Sequence, residues 1–129
     1  MSASFGLNLK EAPGGLRDVE MLLDIFRARF ELFENSNYGM FKKLEAILPQ
    51  HAAALDELYR HYEFLRLVRN LNRLAVAADD QIDTVHLHKV IESWRIKGLR
   101  EKRPETLEAR ILRELERGEE IMQELLAAP

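Results

Sequence analysis

The feature that most constrains this fold is a run over residues 51–77 that contains no proline or glycine and carries apolar residues at helical spacing. Side chains three or four positions apart share one face of an α-helix. The inward side predicted here consists of Leu58, His61, Phe64, Leu65, Val68, Leu71, Asn72 and Ala75. This is the longest of four or five predicted helices, and antiparallel helices joined by short loops form a helical bundle.

A second helix is predicted over residues 17–34, and it has two apolar stripes. The stripe predicted to face the core consists of Val19, Leu22, Leu23, Phe26, Phe30 and Phe33. The other stripe, about a third of a turn away, consists of Met21, Ile25, Ala28 and Leu32. A helix with two apolar stripes is either central in its bundle or docked on a second surface.

Three further helices are predicted over residues 38–47, 85–97 and 105–127. Ser36 or Asn37 is expected to cap the first of these, and Asp83 or Thr84 the second. Gly98 is expected to end the helix over 85–97, and Pro104 is expected to lie at the start of the helix over 105–127. No strand is predicted, because no alternating run is joined by a hairpin dipeptide. The sequence therefore predicts an all-α, antiparallel bundle of four to five helices. It would form one domain over 1–129, with an extended segment over 1–15 and the bundle over 16–127.

Composition excludes several classes of function. The chain has no cysteine, which rules out a disulfide framework, a thiolate metal site and a cysteine nucleophile. Its 19 basic and 22 acidic side chains give a net charge of −3, so a nucleic-acid partner is not expected. No apolar run could span a membrane and no secretory signal is evident, so a cytoplasmic location is expected. His86 and His88 lie two apart, which is wrong for one metal on a helix, so no metal site is predicted.

Two surfaces have alternative interpretations from the residues alone. Gly14 and Gly15 directly precede a helix, where they would form either an anion site or a tight domain junction. Arg66, Arg69 and Arg73 form an arginine face on the long helix that could bind an anion or an acidic partner. The alternative is pairing with carboxylates of a neighbouring helix, for which the candidates are Glu20, Asp24 and Glu31.

The residues 8–20, N-L-K-E-A-P-G-G-L-R-D-V-E, form the most specific motif in the chain. This motif resembles the start of the helical domain in the glutamine synthetase adenylyltransferase and PII-protein uridylyltransferase family. The stretch 59–68, Y-R-H-Y-E-F-L-R-L-V, is similar to the long helix of that domain, and Asp80, Gln81 and Thr84 are similar to the loop that follows it.

The resemblance implies a role without catalytic residues in this chain. The family's catalytic Gly-Ser and Asp-x-Asp lie on a separate nucleotidyltransferase domain, and this sequence contains neither. The resemblance places six residues against that domain or its nucleotide: Lys10, Gly14, Gly15, Arg17, Asp18 and Glu20. No cofactor is expected on this chain, whereas Mg²⁺ with ATP or UTP is implied for the catalytic domain.

The function implied is that of a non-catalytic accessory domain, of a bacterial, nitrogen-regulation type. It would pack beside a catalytic domain in cis or in trans through the second stripe of the first helix, and help to position nucleotide or a regulatory protein substrate. The alternative is a stand-alone helical module that binds a protein or an anion in trans, with homo-oligomerisation left open.

Overall fold

The computed structural model describes residues 6–75, 80–83, 86–91 and 104–127. In chain order the elements are β1 (Gly6–Asn8), α1 (Leu16–Phe30), α2 (Asn37–Ile47), a 3₁₀ turn (Pro49–His51), α3 (Ala52–Ala75), β2 (Gln81–Asp83), the helical residues 86–91, which we call α4, and α5 (Pro104–Ala127). The predicted all-α helical bundle is confirmed.

The long helix α3 lies at the centre of the bundle. It contacts α1, α2 and α5. Leu58, Leu65, Val68 and Leu71 are all buried on its inward side. The ion pair between Glu57 and Arg117 and the contact of Phe64 with Arg110 show that α3 and α5 run antiparallel. Burial of this apolar face supplies the main favourable term in folding.

The helix α1 ends earlier than the predicted boundary at residue 34. Glu31 adopts a left-handed backbone conformation, with φ of 52°, and its amide donates to the Arg27 carbonyl. The helix therefore stops at Phe30. The prediction that Phe33 lies in the core is wrong, since its side chain is 90% exposed. Helical spacing places a side chain only while the chain remains helical.

The predicted caps and the predicted last helix agree with the structure. Ser36 Oγ accepts from the Gly39 amide at 2.9 Å, and Asp83 Oδ1 accepts from the His86 amide at 2.9 Å. Pro104 is the first residue of α5. The inward face predicted for α5 is buried throughout: Leu107, Ile111, Leu115, Ile121, Met122 and Leu125. Thr84, Trp94, Gly98 and the rest of 92–103 lie outside the described residues.

The absence of any predicted strand is corrected by a small antiparallel sheet. Leu7 of β1 pairs with Ile82 of β2, and the ladder is extended by the Leu9 amide, which donates to the Asp80 carbonyl at 2.8 Å. Three-residue strands are too short to show a period of two, and their pairing joins distant parts of the chain. The sheet fastens the N-terminal segment to the residues that follow α3.

Replacing Leu65 with alanine tests the position of the core. Leu65 is fully buried on α3, so Leu65→Ala should lower the free energy of unfolding by about 2–5 kcal/mol. Leu74 lies on the same helix but is 73% exposed, and Leu74→Ala should change it by about 0.5 kcal/mol or less. Urea denaturation followed by circular dichroism measures both. Equal losses for the two variants would contradict this packing.

Candidate functional site

The loop over residues 9–15, which we call the glycine loop, is held by its own hydrogen bonds. Asn8 Oδ1 accepts from the amide of Lys10 and from the next amide, each at 2.9 Å. The amides of Leu16 and Arg17 donate to the carbonyls of Leu9 and Lys10, at 3.1 and 3.0 Å. The first amides of a helix are the donors that usually bind anions. Here the chain's own carbonyls occupy two of them.

The two glycines of this loop are buried against other backbone. Gly14 has φ of 79°, and a side chain there would collide with the Leu115 carbonyl of α5. A Cβ on Gly15 would lie 2.6 Å from the Leu9 carbonyl oxygen. The Gly14 amide donates to Asp18 Oδ2 at 2.8 Å, so an acid in the first turn of α1 caps the loop. This geometry is that of a tight junction within the chain.

His61 joins the loop to two helices. Its ring is only 2% exposed, as expected for an inward residue of α3. Nε2 lies 2.8 Å from the Gly14 carbonyl oxygen, and Nδ1 lies 3.2 Å from Glu114 Oε2 on α5. A side chain at Gly118 would overlap the imidazole, so α5 needs a glycine at this point.

Sequence reasoning did not connect His61 with the glycine loop. The available signal was Gly118, since a glycine inside a helix is destabilising by about 1 kcal/mol relative to alanine and therefore indicates a close contact. The contact cannot be predicted from spacing along the sequence, because His61 lies 47 residues from Gly14 and 53 from Glu114.

Two carboxylates beside this junction have lowered pKa values. The hydrogen bond from His61 lowers the pKa of Glu114 and outweighs the opposing effect of burial. Arg117 lowers the pKa of Glu57 through hydrogen bonds of 2.7 and 3.1 Å to its two oxygens. Both carboxylates therefore remain ionised at neutral pH and below.

The other residues of the predicted interface surround the loop. Arg17 is exposed and pairs with Glu11 at 2.8 Å, whereas Lys10, Asp18 and Glu20 are half-buried. These four residues lie in the loop with the two glycines or in the first turns of α1. Their placement against a catalytic domain or a nucleotide stays a prediction.

The arginine face of α3 is engaged with carboxylates, but not with those of α1. Arg66 pairs with Glu63 at 2.9 Å on its own helix. Arg69 and Arg73 both pair with Asp80, at 2.7 and 3.2 Å. The expectation that these arginines pair with Glu20, Asp24 or Glu31 is wrong for the described residues. Asp80 precedes β2, and the sheet brings it to α3.

Tyr62, one turn before Arg66 on α3, is buried. Its hydroxyl accepts from Asn37 Nδ2 at 2.8 Å and donates to Glu20 Oε1 at 3.4 Å. Burial raises the pKa of Tyr62. The carboxylate of Glu20 therefore contacts a tyrosine, where an arginine had been expected.

Met21 and Ile25 of the second apolar stripe face outward beside α5, whereas Leu32 lies beyond the end of α1 and packs against the core. Met21 and Ile25 are 54% and 41% exposed, and Leu126 of α5 is exposed next to them. Together they border an open groove of about 250 Å³, with Asp18 and Glu119 at its rim. We call this surface the α1–α5 groove. It lies directly after the glycine loop.

No site for a metal ion is evident among the described residues. Within 6–75, 80–83, 86–91 and 104–127, no group of three or more histidine or acidic side chains is placed to hold one. Among the helices in these ranges, none is both long and apolar enough to cross a bilayer.

Gly14→Ala tests the tight junction. The left-handed φ and the collision with the Leu115 carbonyl should together lower the free energy of unfolding by at least about 2 kcal/mol. Gly6→Ala is the control, because nothing lies within 4 Å of its position, and it should cost about 0.5 kcal/mol or less. Urea titrations compare them. If Gly14→Ala were as stable as the control, α5 would not contact the loop here.

Asp80→Asn tests the pairing of the arginine face. Asp80 is mostly buried and binds two arginines, so its neutralisation should cost about 1–3 kcal/mol of unfolding free energy. Glu63→Gln removes an exposed pair on the same helix and should cost about 1 kcal/mol or less. Thermal unfolding at low and high salt measures both. A larger loss for Glu63→Gln would show that Asp80 is not the main partner.

Comparison with known proteins assigns the chain to a family. The family model described as GlnD PII-uridylyltransferase matches residues 2–126. No curated protein and no solved structure matches the chain. The match covers nearly the whole sequence, including the glycine loop, α3 and α5. The chain therefore belongs to the GlnD PII-uridylyltransferase family.

Proposed function

We propose that this chain is a non-catalytic accessory domain of a uridylyltransferase-type enzyme. It packs beside the nucleotidyltransferase catalytic domain and helps to position the nucleotide or the protein substrate. The single observation that carries the proposal is the outward apolar stripe of α1, which begins one turn after the glycine loop.

Met21 and Ile25 of this stripe do not contribute to the buried core of the chain. The helix α1 already buries Leu22, Leu23 and Phe26 in the core. Met21 and Ile25 remain exposed, and the α1–α5 groove adds Leu126 to the same surface. Contiguous exposed apolar side chains mark interaction surfaces on otherwise ordinary proteins. Methionine suits such a surface, because its flexible side chain adapts to the shape of a partner.

The glycine loop lies at one end of this surface, so it defines which residues a docked domain would meet there. A domain docked along α1 would meet the stripe first and the loop at one end of it. Arg17 is exposed there and pairs with the exposed Glu11. Exposed ion pairs are weak, so the guanidinium can exchange Glu11 for a phosphate at little energetic cost. The rigid loop would hold Arg17 and Lys10 in fixed places beside a nucleotide.

Nucleotidyl transfer itself is assigned to the catalytic domain. In-line displacement at phosphorus depends on metal ions held by carboxylates, and ATP or UTP with Mg²⁺ would bind there. The role of this chain is limited to docking and positioning. Turnover of either nucleotide by the purified chain with Mg²⁺ would overturn this assignment.

Replacing Ile25 with aspartate tests the docking surface. A carboxylate in an apolar interface should weaken binding to the nucleotidyltransferase domain at least about tenfold. Ile47→Asp on α2 is a matched control, because Ile47 is the same residue type with the same 41% exposure. It should leave the affinity within about twofold. Isothermal titration calorimetry measures both variants after circular dichroism has confirmed equal helix content.

Two results would contradict the proposal. Equal affinities for the two variants would show that the α1 stripe is not the docking surface. No binding of the unmodified chain to the catalytic domain, together with capture of a different protein that Ile25→Asp abolishes, would favour the stand-alone module acting in trans.

A further inference from the structure

Both ring nitrogens of His61 face hydrogen-bond acceptors. The Gly14 carbonyl oxygen, 2.8 Å from Nε2, can only accept. The Glu114 carboxylate, 3.2 Å from Nδ1, also only accepts when it is ionised. A neutral imidazole has one N–H and can satisfy one of these two acceptors. An imidazolium has two and satisfies both, so the geometry fits the protonated ring.

The charges around the ring come from both helices and from the loop. On α5, Glu114 contacts the ring directly, and Arg110 acts on Glu114. On α3, Glu57 lies one turn before His61 and is itself paired with Arg117 of α5. The Asp18 carboxylate of α1 is engaged by the Gly14 amide. The carboxylate left to balance a charge on His61 is therefore Glu114.

We propose that His61 is a proton-dependent latch that fastens α5 to the glycine loop. When protonated, the ring donates Nε2–H to Gly14 and Nδ1–H to Glu114. When the Nδ1 proton leaves to solvent, the ring keeps its bond to Gly14 and turns a lone pair towards the Glu114 carboxylate. The Glu114 side chain, which is 30% exposed, then turns out into water and this tie to α5 is lost.

The latch lies at one end of the α1–α5 groove. Glu114 and Gly118 contact His61, and Glu119 and Met122 line the groove within the next turn of α5. Release of α5 at Glu114 therefore loosens the wall of the groove nearest the loop. Loss of the Nδ1 proton would therefore weaken any docking there. This inference goes beyond the proposed function, and its test needs no partner.

Ring nitrogen chemical shifts in the ¹⁵N-histidine-labelled chain report the latch directly. At pH 5 we expect both nitrogens of His61 to be protonated. With rising pH, Nδ1 alone should lose its proton, and the amides of Gly14 and Gly118 should shift with the same midpoint. Hydrogen exchange of amides 114–118, corrected for the intrinsic pH dependence, should accelerate at least tenfold above that midpoint.

Glu114→Gln separates the latch from an ordinary buried histidine. The glutamine amide can donate to an unprotonated Nδ1, so the neutral ring fits and the pH-dependent acceleration of exchange should disappear. Glu116→Gln, at an exposed position on the same helix, keeps the acceleration. The latch is refuted if His61 carries one proton at pH 5, or if it keeps both until the chain unfolds. It is also refuted if Glu114→Gln behaves as the unmodified chain does.

Discussion

The contact of the His61 ring with Gly14 and Gly118 sets the spacing of the bundle. The ring fills the space where a side chain at position 118 of α5 would otherwise lie, and its Nε2 lies 2.8 Å from the Gly14 carbonyl oxygen of the loop. Apolar packing is non-directional and tolerates sliding of helices. The hydrogen bonds of His61 are directional, so they select one register for α5 along α3 and one position for the loop before α1.

The far end of the same loop is held by a different set of contacts. The β1–β2 ladder joins it to the residues after α3, and Asn72, fully buried on α3, donates to the Gln81 carbonyl at 2.9 Å. Asp80 adds its ion pairs with Arg69 and Arg73. The N-terminal segment is thus anchored at two points along α3. A segment fixed in this way can present side chains to a partner in a constant geometry.

The two faces of α1 differ in their exposure. One face supplies buried leucines and Phe26 to the core, and the other leaves Met21 and Ile25 exposed beside the α1–α5 groove. We propose that this second face docks on the catalytic domain. The latch that we propose at His61 would act on the groove from inside the bundle, without changing the exposed residues.

The sequence by itself determined the features that depend on local spacing. It predicted the helices, the Ser36 cap, the inward side of α3 and the buried face of α5, because each follows from side chains within a few positions of one another. The motif over residues 8–20 was enough to indicate the family. Tertiary structure decided what joins distant segments: the sheet, the pairing of Arg69 with Asp80, and the place of His61 between Gly14 and Glu114. It also decided the end of α1, where Glu31 takes a conformation that its own side chain does not favour. These contacts depend on how helices approach one another, and periodicity along the chain carries no information about that approach.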